Sequence, residues 1–250
     1  MSTFSIITVC YNAAATIERT LASVDSQTCT DYEHLIIDGA STDGTLNIVS
    51  RHPNGRRSVF SEPDRGLYDA MNKGISHSTG KYLIFLNAGD KFHAPDTLAV
   101  IAKVIEDHNF PGIVYGQTDI VDNEGRYIGP RHLTAPEHLT HKSFADGMLV
   151  CHQAFVVLRH IIGFYDTRYR FSADYEWCIR CLQHSRSNIG LTDTVLIDYL
   201  SEGITTGNKL PSLMERFRIM AYYYGFFTAA SKHIGFVGRW WRRRKNRTAQ

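Results

Sequence analysis

Apolar positions along the chain follow two alternating periods. Phe4 to Cys10 (FSIITVC) is rich in β-branched residues and predicts a buried strand; Tyr11-Asn12 form a turn, and Ala14 to Gln27 has apolar positions at helical spacing. The pair returns as a short strand, His34 to Ile37, closed by the turn-rich "DGASTDGT" at 38–45, and a helix from Thr45 to Ser50. A weaker strand, Arg57 to Ser61, leads through "EPDRGLYDAMNKG" into a helix with Leu67, Met71 and Ile75 on one face and Tyr68, Asp69, Asn72 and Lys73 on the other. A strand at Tyr82 to Leu86, a helix at Thr97 to Glu106 and a strand at Gly112 to Tyr115 follow. Such alternation predicts an α/β fold: a mostly parallel sheet with helices on both faces.

From about residue 120 the pattern loosens, and Gly125, Gly129, Pro130 and Pro136 punctuate a polar stretch. Order returns with a strand at Ala154 to Leu158, a helix from Asp174 to Gln183, a strand at Val195 to Leu200 and a long aromatic helix, Leu213 to Ala230.

At 250 residues, 43% hydrophobic and 21% charged, the chain has a globular composition that excludes disorder over most of its length. The net charge of +2 conceals an asymmetry. Residues 1 to 215 hold 18 basic and 25 acidic groups, a net of −7, whereas nine Lys/Arg and no acid follow Glu215. The apolar part of the last helix is too short to span a bilayer, which takes about 20 residues. Its neighbour "RWWRRRKNR" suits a headgroup interface, so a membrane surface is expected as a partner. No base-reading module accompanies the charge, so nucleic acid is not expected. Five cysteines without framework spacing and a start lacking signal-peptide features point to the cytoplasm, at the inner face of the membrane. Cys178 and Cys181 form a lone CxxC, read as core packing.

The candidate chemistry lies at strand ends. "LIFLNAGD" at 83–90 runs a buried strand into a polar turn ending in Asp90, and Asp38 ends the second strand. On a parallel sheet both fall on the carboxyl edge, where α/β folds collect their ligands. Asp174 opens a later helix. Singly, each is also an ordinary turn former or N-cap.

Together with "TVCYN" at 8–12, "DGASTDGT", "SEPDRGLYDAMNKG" at 61–74, "LNAGD" at 86–90 and "SADYEW" at 172–177, these acids give a chain that resembles family 2 glycosyltransferases of the GT-A fold, nearest to bacterial enzymes of exopolysaccharide and lipopolysaccharide assembly. The resemblance covers roughly residues 3–206 and is most specific in "EPDRGLYDAMNKG". It implies a nucleotide-diphosphate sugar donor, a divalent metal (Mg or Mn), a saccharide or lipid-linked acceptor, and inversion at the anomeric carbon. It also implies a division into a Rossmann-like nucleotide-sugar half (1–116), an acceptor half (117–210) and a C-terminal aromatic helix with a basic tail (211–250).

The resemblance assigns Thr8, Tyr11, Asn12 and Asp38 to base and ribose, Asp90 to metal and diphosphate, and Asp174 to the general base. Asn87 and Gly89 border the diphosphate, with Gly89 allowing close backbone approach. Arg65 and Lys73 are either helpers at the diphosphate or charges on a solvated helix face. Glu176 is the rival base, two residues on and so pointing away from Asp174 on a helix. His152, Gln153 and Trp177 are candidates for the acceptor site, Trp177 by stacking on a sugar. "SEGITT" at 201–206 matches a family loop without an assigned role. The family's usual Asp-Ala-Asp-Asp is here Asn87-Ala88-Gly89-Asp90, with one carboxylate; Mg²⁺ held largely by substrate phosphates and water tolerates that. Two other readings remain open. One is an inactive scaffold at the membrane. The other is a sugar nucleotidyltransferase, against which Tyr11-Asn12-Ala13 stand where such enzymes carry a glycine-rich basic loop.

Overall fold

The computed structural model describes residues 2–201 and 209–235. The match to "SEGITT" from residue 202 and the basic tail beyond 235 lie outside the described residues. Nine strands form one sheet: β1 (Phe4–Cys10), β2 (Tyr32–Asp38), β3 (Arg57–Ser61), β4 (Tyr82–Phe85), β5 (Lys91–Phe92), β6 (Ile113–Val121), β7 (Tyr127–Pro130), β8 (Phe155–Leu158) and β9 (Asn188–Leu200). Their order is β3-β2-β1-β4-β8-β6-β9-β5, with β7 against β6. β1, β2, β3, β4, β6 and β9 run one way, and β5, β7 and β8 run against them. The helices are α1 (Ile17–Asp25), α2 (Thr45–Arg51), α3 (Leu67–His77), α4 (Thr97–Asp107), α5 (Ala173–His184) and α6 (Lys209–Tyr224).

β1 and β4 are buried at every position, because helices cover both faces of the sheet's centre. Two large apolar clusters flank the sheet, one around Trp177 and Phe85, the other around Phe4, Ile101 and Ile197. Cys178 and Cys181 are fully buried free thiols, in keeping with a packing role.

Four departures from the expected elements stand out. β8 runs antiparallel between β4 and β6, so its leading end, and with it His152 and Gln153, arrives at the carboxyl edge of the parallel strands. β6 extends through Val121 and crosses the division at 116/117, so the two expected halves share one sheet. Ile219 and Met220 of α6 belong to the same core cluster as Trp177, so α6 is part of this body. The helix expected to run to Ala230 breaks at Gly225, whose φ of 87° lies in the left-handed region, and helix resumes over 226–235.

Candidate active site

Asp90 and Asp174 open onto one cleft of about 820 Å³ at the carboxyl ends of β1, β4, β6 and β9. Tyr11, Asn12, Asp64, Tyr68, Asn87, Arg131, His152, Gln153 and Arg216 also line it. A second cavity of about 830 Å³, against Gly112, Arg180 and Arg186 at the other end of β6, has no carboxylate in its wall.

On one side the cleft is a lattice of short loops. Asn12, with φ 48°, donates its N–H to Ser41 Oγ at 2.8 Å and accepts from Thr42 N at 2.9 Å. Asp43 accepts from Ala14 N at 2.9 Å and Thr45 N at 3.0 Å, and Ala13 N donates to Thr45 Oγ1 at 2.8 Å. Cys10, Asp38 and Ser61 are opposite one another on β1, β2 and β3. Asp38 accordingly accepts from Ser61 Oγ at 2.7 Å and Ser41 N at 3.0 Å, with the Cys10 thiol at 3.6 Å. Burial pushes the Asp38 carboxyl up, but these hydrogen bonds together outweigh it and hold it below its usual value. Asp38 is buried, 1% exposed, and fixes the loop behind Tyr11 and Asn12 rather than lining the cleft. Thr8 is fully buried beside His34 Nε2 at 2.9 Å, which removes it from the nucleotide-facing set.

At the centre, Asp90 is 3% exposed and ties strand ends together: Oδ2 accepts from Gln153 Nε2 at 2.8 Å and Oδ1 from Leu200 N at 2.9 Å. Burial raises its pKa to about 7 against those bonds. Asn87 Oδ1 is buried without a partner among the described residues. Gly89 has a different part from the expected one. Its φ is 102° and a Cβ there would lie 2.7 Å from Leu200 Cδ2, so glycine serves the turn and the approach of β9, and it does not line the cleft.

At the far side, Tyr68 points inward from α3, against the expected face, and its hydroxyl donates to Asp174 Oδ1 at 3.0 Å. His152 Nδ1 lies 3.7 Å from Asp174 Oδ2, beyond hydrogen-bond range, and burial lowers the imidazole pKa so that it is neutral at pH 7. The segment leading into α5 is pinned by α6: Glu215 accepts from Arg170 N and Phe171 N, each at 2.8 Å. Arg216, one residue on, reaches the cleft; its Nε is buried without a hydrogen-bond partner among the described residues, and its guanidinium lies 5.5 Å from the Tyr175 ring.

Several candidates are placed elsewhere. Trp177 is fully buried, stacked on Tyr165 at 4.9 Å with Nε1 donating to Gly163 O, because its position on α5 faces the sheet. Lys73 bonds Pro63 O at 2.7 Å and Glu62 at 2.9 Å, tying down the loop ahead of α3. Arg65 points to solvent, paired with Asp69. Glu176 is held by Arg180 and by the Tyr223 hydroxyl, away from the cleft. Sequence reasoning missed Asp64, Tyr68 and Arg216. The first two lie inside the "EPDRGLYDAMNKG" string, which was signal enough to find them; Arg216 carried none beyond its charge.

The residues present fit a hard divalent cation. Asp90 is a buried carboxylate that a cation would relieve, and the orphaned Asn87 amide oxygen lies on the same turn. A second cluster, His93, Asp119 and Asp198, brings three ligand atoms together, but its acids alternate with the cleft-facing Ile120 and Tyr199, and Lys91 Nζ holds Asp198 at 2.7 Å. It is not the cleft's metal site.

A sheet with its ligand edge at the ends of β1, β4 and β6, two acids on one cleft and α5 opening on a base candidate define a GT-A glycosyltransferase fold. The chain belongs to glycosyl transferase family 2, whose model matches residues 5–162. It is 37% identical over 187 residues to a PGL/p-HBAD biosynthesis glycosyltransferase of Mycobacterium bovis, covering 72% of this chain and 70% of that protein. It is 28% identical over 134 residues to the UDP-Glc:alpha-D-GlcNAc-diphosphoundecaprenol beta-1,3-glucosyltransferase WfgD of Escherichia coli, 52% of each chain. The structure of S. aureus TarS 1-349 with UDP-GlcNAc superposes with a TM-score of 0.71 at 19% identity, covering 88% of this chain and 65% of that one.

Proposed function

We propose that the protein transfers a sugar, with inversion, from a nucleotide-diphosphate donor to a hydroxyl of a saccharide or lipid-linked saccharide in cell-surface glycan synthesis. The observation that carries this is the cleft itself, which Asp90 and Asp174 share. Tyr11, Asn12 and Asp64 receive the nucleotide on the loop lattice. Asp90 and Asn87 would hold the Mg²⁺ or Mn²⁺, and the ion would supply positive charge to the leaving diphosphate. Arg216, whose Nε has no hydrogen-bond partner among the described residues, serves a phosphate oxygen of the donor.

Asp174 is the general base. Tyr68 occupies Oδ1, so Oδ2 is left to take the acceptor's proton, and a neutral His152 beside it neither protonates the carboxylate nor draws it into an ion pair. His152 and Gln153 border the acceptor. The name of WfgD, with its diphosphoundecaprenol acceptor, supports a lipid-linked substrate, and the basic tail supports work at the inner face of a membrane.

The test is Asp174→Asn. Stabilisation by UDP-sugars with Mn²⁺ is retained, and transfer falls by about 10²- to 10⁴-fold. Normal transfer by this variant would remove the assignment. Pyrophosphate release from a nucleoside triphosphate and a sugar phosphate would favour the nucleotidyltransferase reading, and donor binding without any turnover the scaffold.

A further inference from the structure

Behind the cleft, the C-terminal helices are two-sided. Ile219, Met220 and Ala229 are buried in the core, whereas Tyr222, Phe226, Phe227 and Ile234 are 80%, 61%, 87% and 75% exposed. Phe227 and Ile234 stand seven residues apart, two turns along one helix face. The Phe226 ring is set edge-on between Phe217 at 5.7 Å and Phe227 at 5.9 Å, so this is an ordered apolar surface. An exposed aromatic face of this kind marks an interaction site.

The charge that accompanies it in the sequence selects the occupant. Behind Glu215 the sequence holds nine Lys/Arg, no acid and the pair Trp240-Trp241. A second copy on this face would bring two such cationic segments together. Nucleic acid would answer the charge and leave Ile234 uncovered. A bilayer with anionic headgroups answers both, taking the aromatic rings into its interface and the basic groups at its surface. We infer that Tyr222, Phe226, Phe227 and Ile234 form the seat on which the protein rests on an anionic membrane. α6 then links membrane to chemistry: Tyr222 is six residues, about 9 Å of helix, from the cleft residue Arg216. The purpose of the seat, presenting the cleft to a membrane-borne acceptor, rests on the lipid-linked reading above. Its existence is tested without donor or acceptor.

The experiment is flotation of the full chain with vesicles of phosphatidylcholine, alone and mixed with phosphatidylglycerol. The wild-type protein floats with the mixed vesicles only. Phe226→Ser/Phe227→Ser weakens that binding by about tenfold or more, and Ile234→Asp weakens it by a second route. Both variants keep UDP-induced stabilisation, since the replaced side chains lie outside the cleft; Ile234→Asp keeps the wild-type melting temperature, and the double variant, which loses the Phe226 contact with Phe217, melts slightly lower and is folded at the assay temperature. Absence of wild-type binding, or equal binding by wild type and both variants, overturns the seat; the latter would leave the charges acting alone. A wild-type dimer that dissociates in the double variant overturns it in favour of a contact between copies. Vesicle binding that follows the expected pattern in a protein no nucleotide stabilises supports the seat and counts against the transferase reading alone.

Discussion

The two rims of the cleft are built to opposite rules. On the β1–β3 rim, Asn12, Asp38, Asp43 and Thr45 hydrogen-bond one another and nearby backbone, and the Asp38 and Asp43 carboxyls are held below their usual values. From Asn87 across to α6, polar groups are buried and left short. Asp90 is pushed up to about 7, and Asn87 Oδ1, His152 Nε2 and Arg216 Nε have no hydrogen-bond partner among the described residues. A satisfied lattice is rigid and cheap to keep, whereas unmet buried groups cost stability and wait for a ligand. The first rim shapes a pocket, and the second is where charge is handled.

The sharpest way to break this contrast is Asp90→Asn. Below about pH 7 Asp90 holds a proton that a cation must displace, so Mn²⁺-dependent stabilisation by UDP should grow from about pH 6 to about pH 8 in the wild type. In Asp90→Asn that pH dependence should vanish and transfer should fall by about 10³-fold; a surviving pH-dependent metal effect in calorimetry would place the cation elsewhere. Next, Arg216→Gln should weaken UDP binding by about 10- to 100-fold, the scale of a lost charge-assisted hydrogen bond, with the melting temperature of the free protein near wild type. Titration calorimetry showing unchanged affinity would return Arg216 to a packing role.

On the satisfied rim the loss should be of stability. Asp38→Ala strands the Ser41 N–H and the Ser61 hydroxyl and should cost about 3 kcal/mol in urea unfolding. Because the folded Asp38 pKa lies below its unfolded one, its contribution is present above the ordinary carboxylate range and is lost as pH falls through the folded value. A neutral Asp38→Ala variant would show the lattice to be ornamental. The smallest effect is Tyr68→Phe, which removes one hydrogen bond from Asp174 and should lower kcat about 5- to 10-fold while leaving donor KM unchanged.

Much of this was legible in the sequence. Alternating apolar runs mark β1 to β4 and their helices, and the turn chemistry of "DGASTDGT" and "LNAGD" puts acids at strand ends. What periodicity cannot supply is direction and depth. Nothing in Phe155–Leu158 says that β8 enters the sheet backwards, yet that reversal delivers His152 and Gln153. Tyr68 and Lys73 share a predicted polar face, but one hydroxyl finds Asp174 inside while the ammonium straps Pro63 and Glu62. Trp177 looks like a sugar platform in one dimension and is core in three, since α5 is covered on more than one side. Arg216 reaches the cleft through the packing of a helix more than forty residues beyond Asp174, a long-range placement no local pattern encodes.

Asp90 also sets a limit on engineering. Its ionised form is the one a cation needs and the one that burial penalises, so its cost to stability builds up as the pH rises from the ordinary carboxylate range and is complete above about 7. Replacing it with a neutral residue would remove that cost while giving up acceptors for Gln153 and Leu200 and most of the turnover, the trade between robustness and activity seen where a protein keeps an uncomfortable group for its work. Thermal hardening of this enzyme is better sought on the Asp38 side of the cleft, whose groups already have their partners.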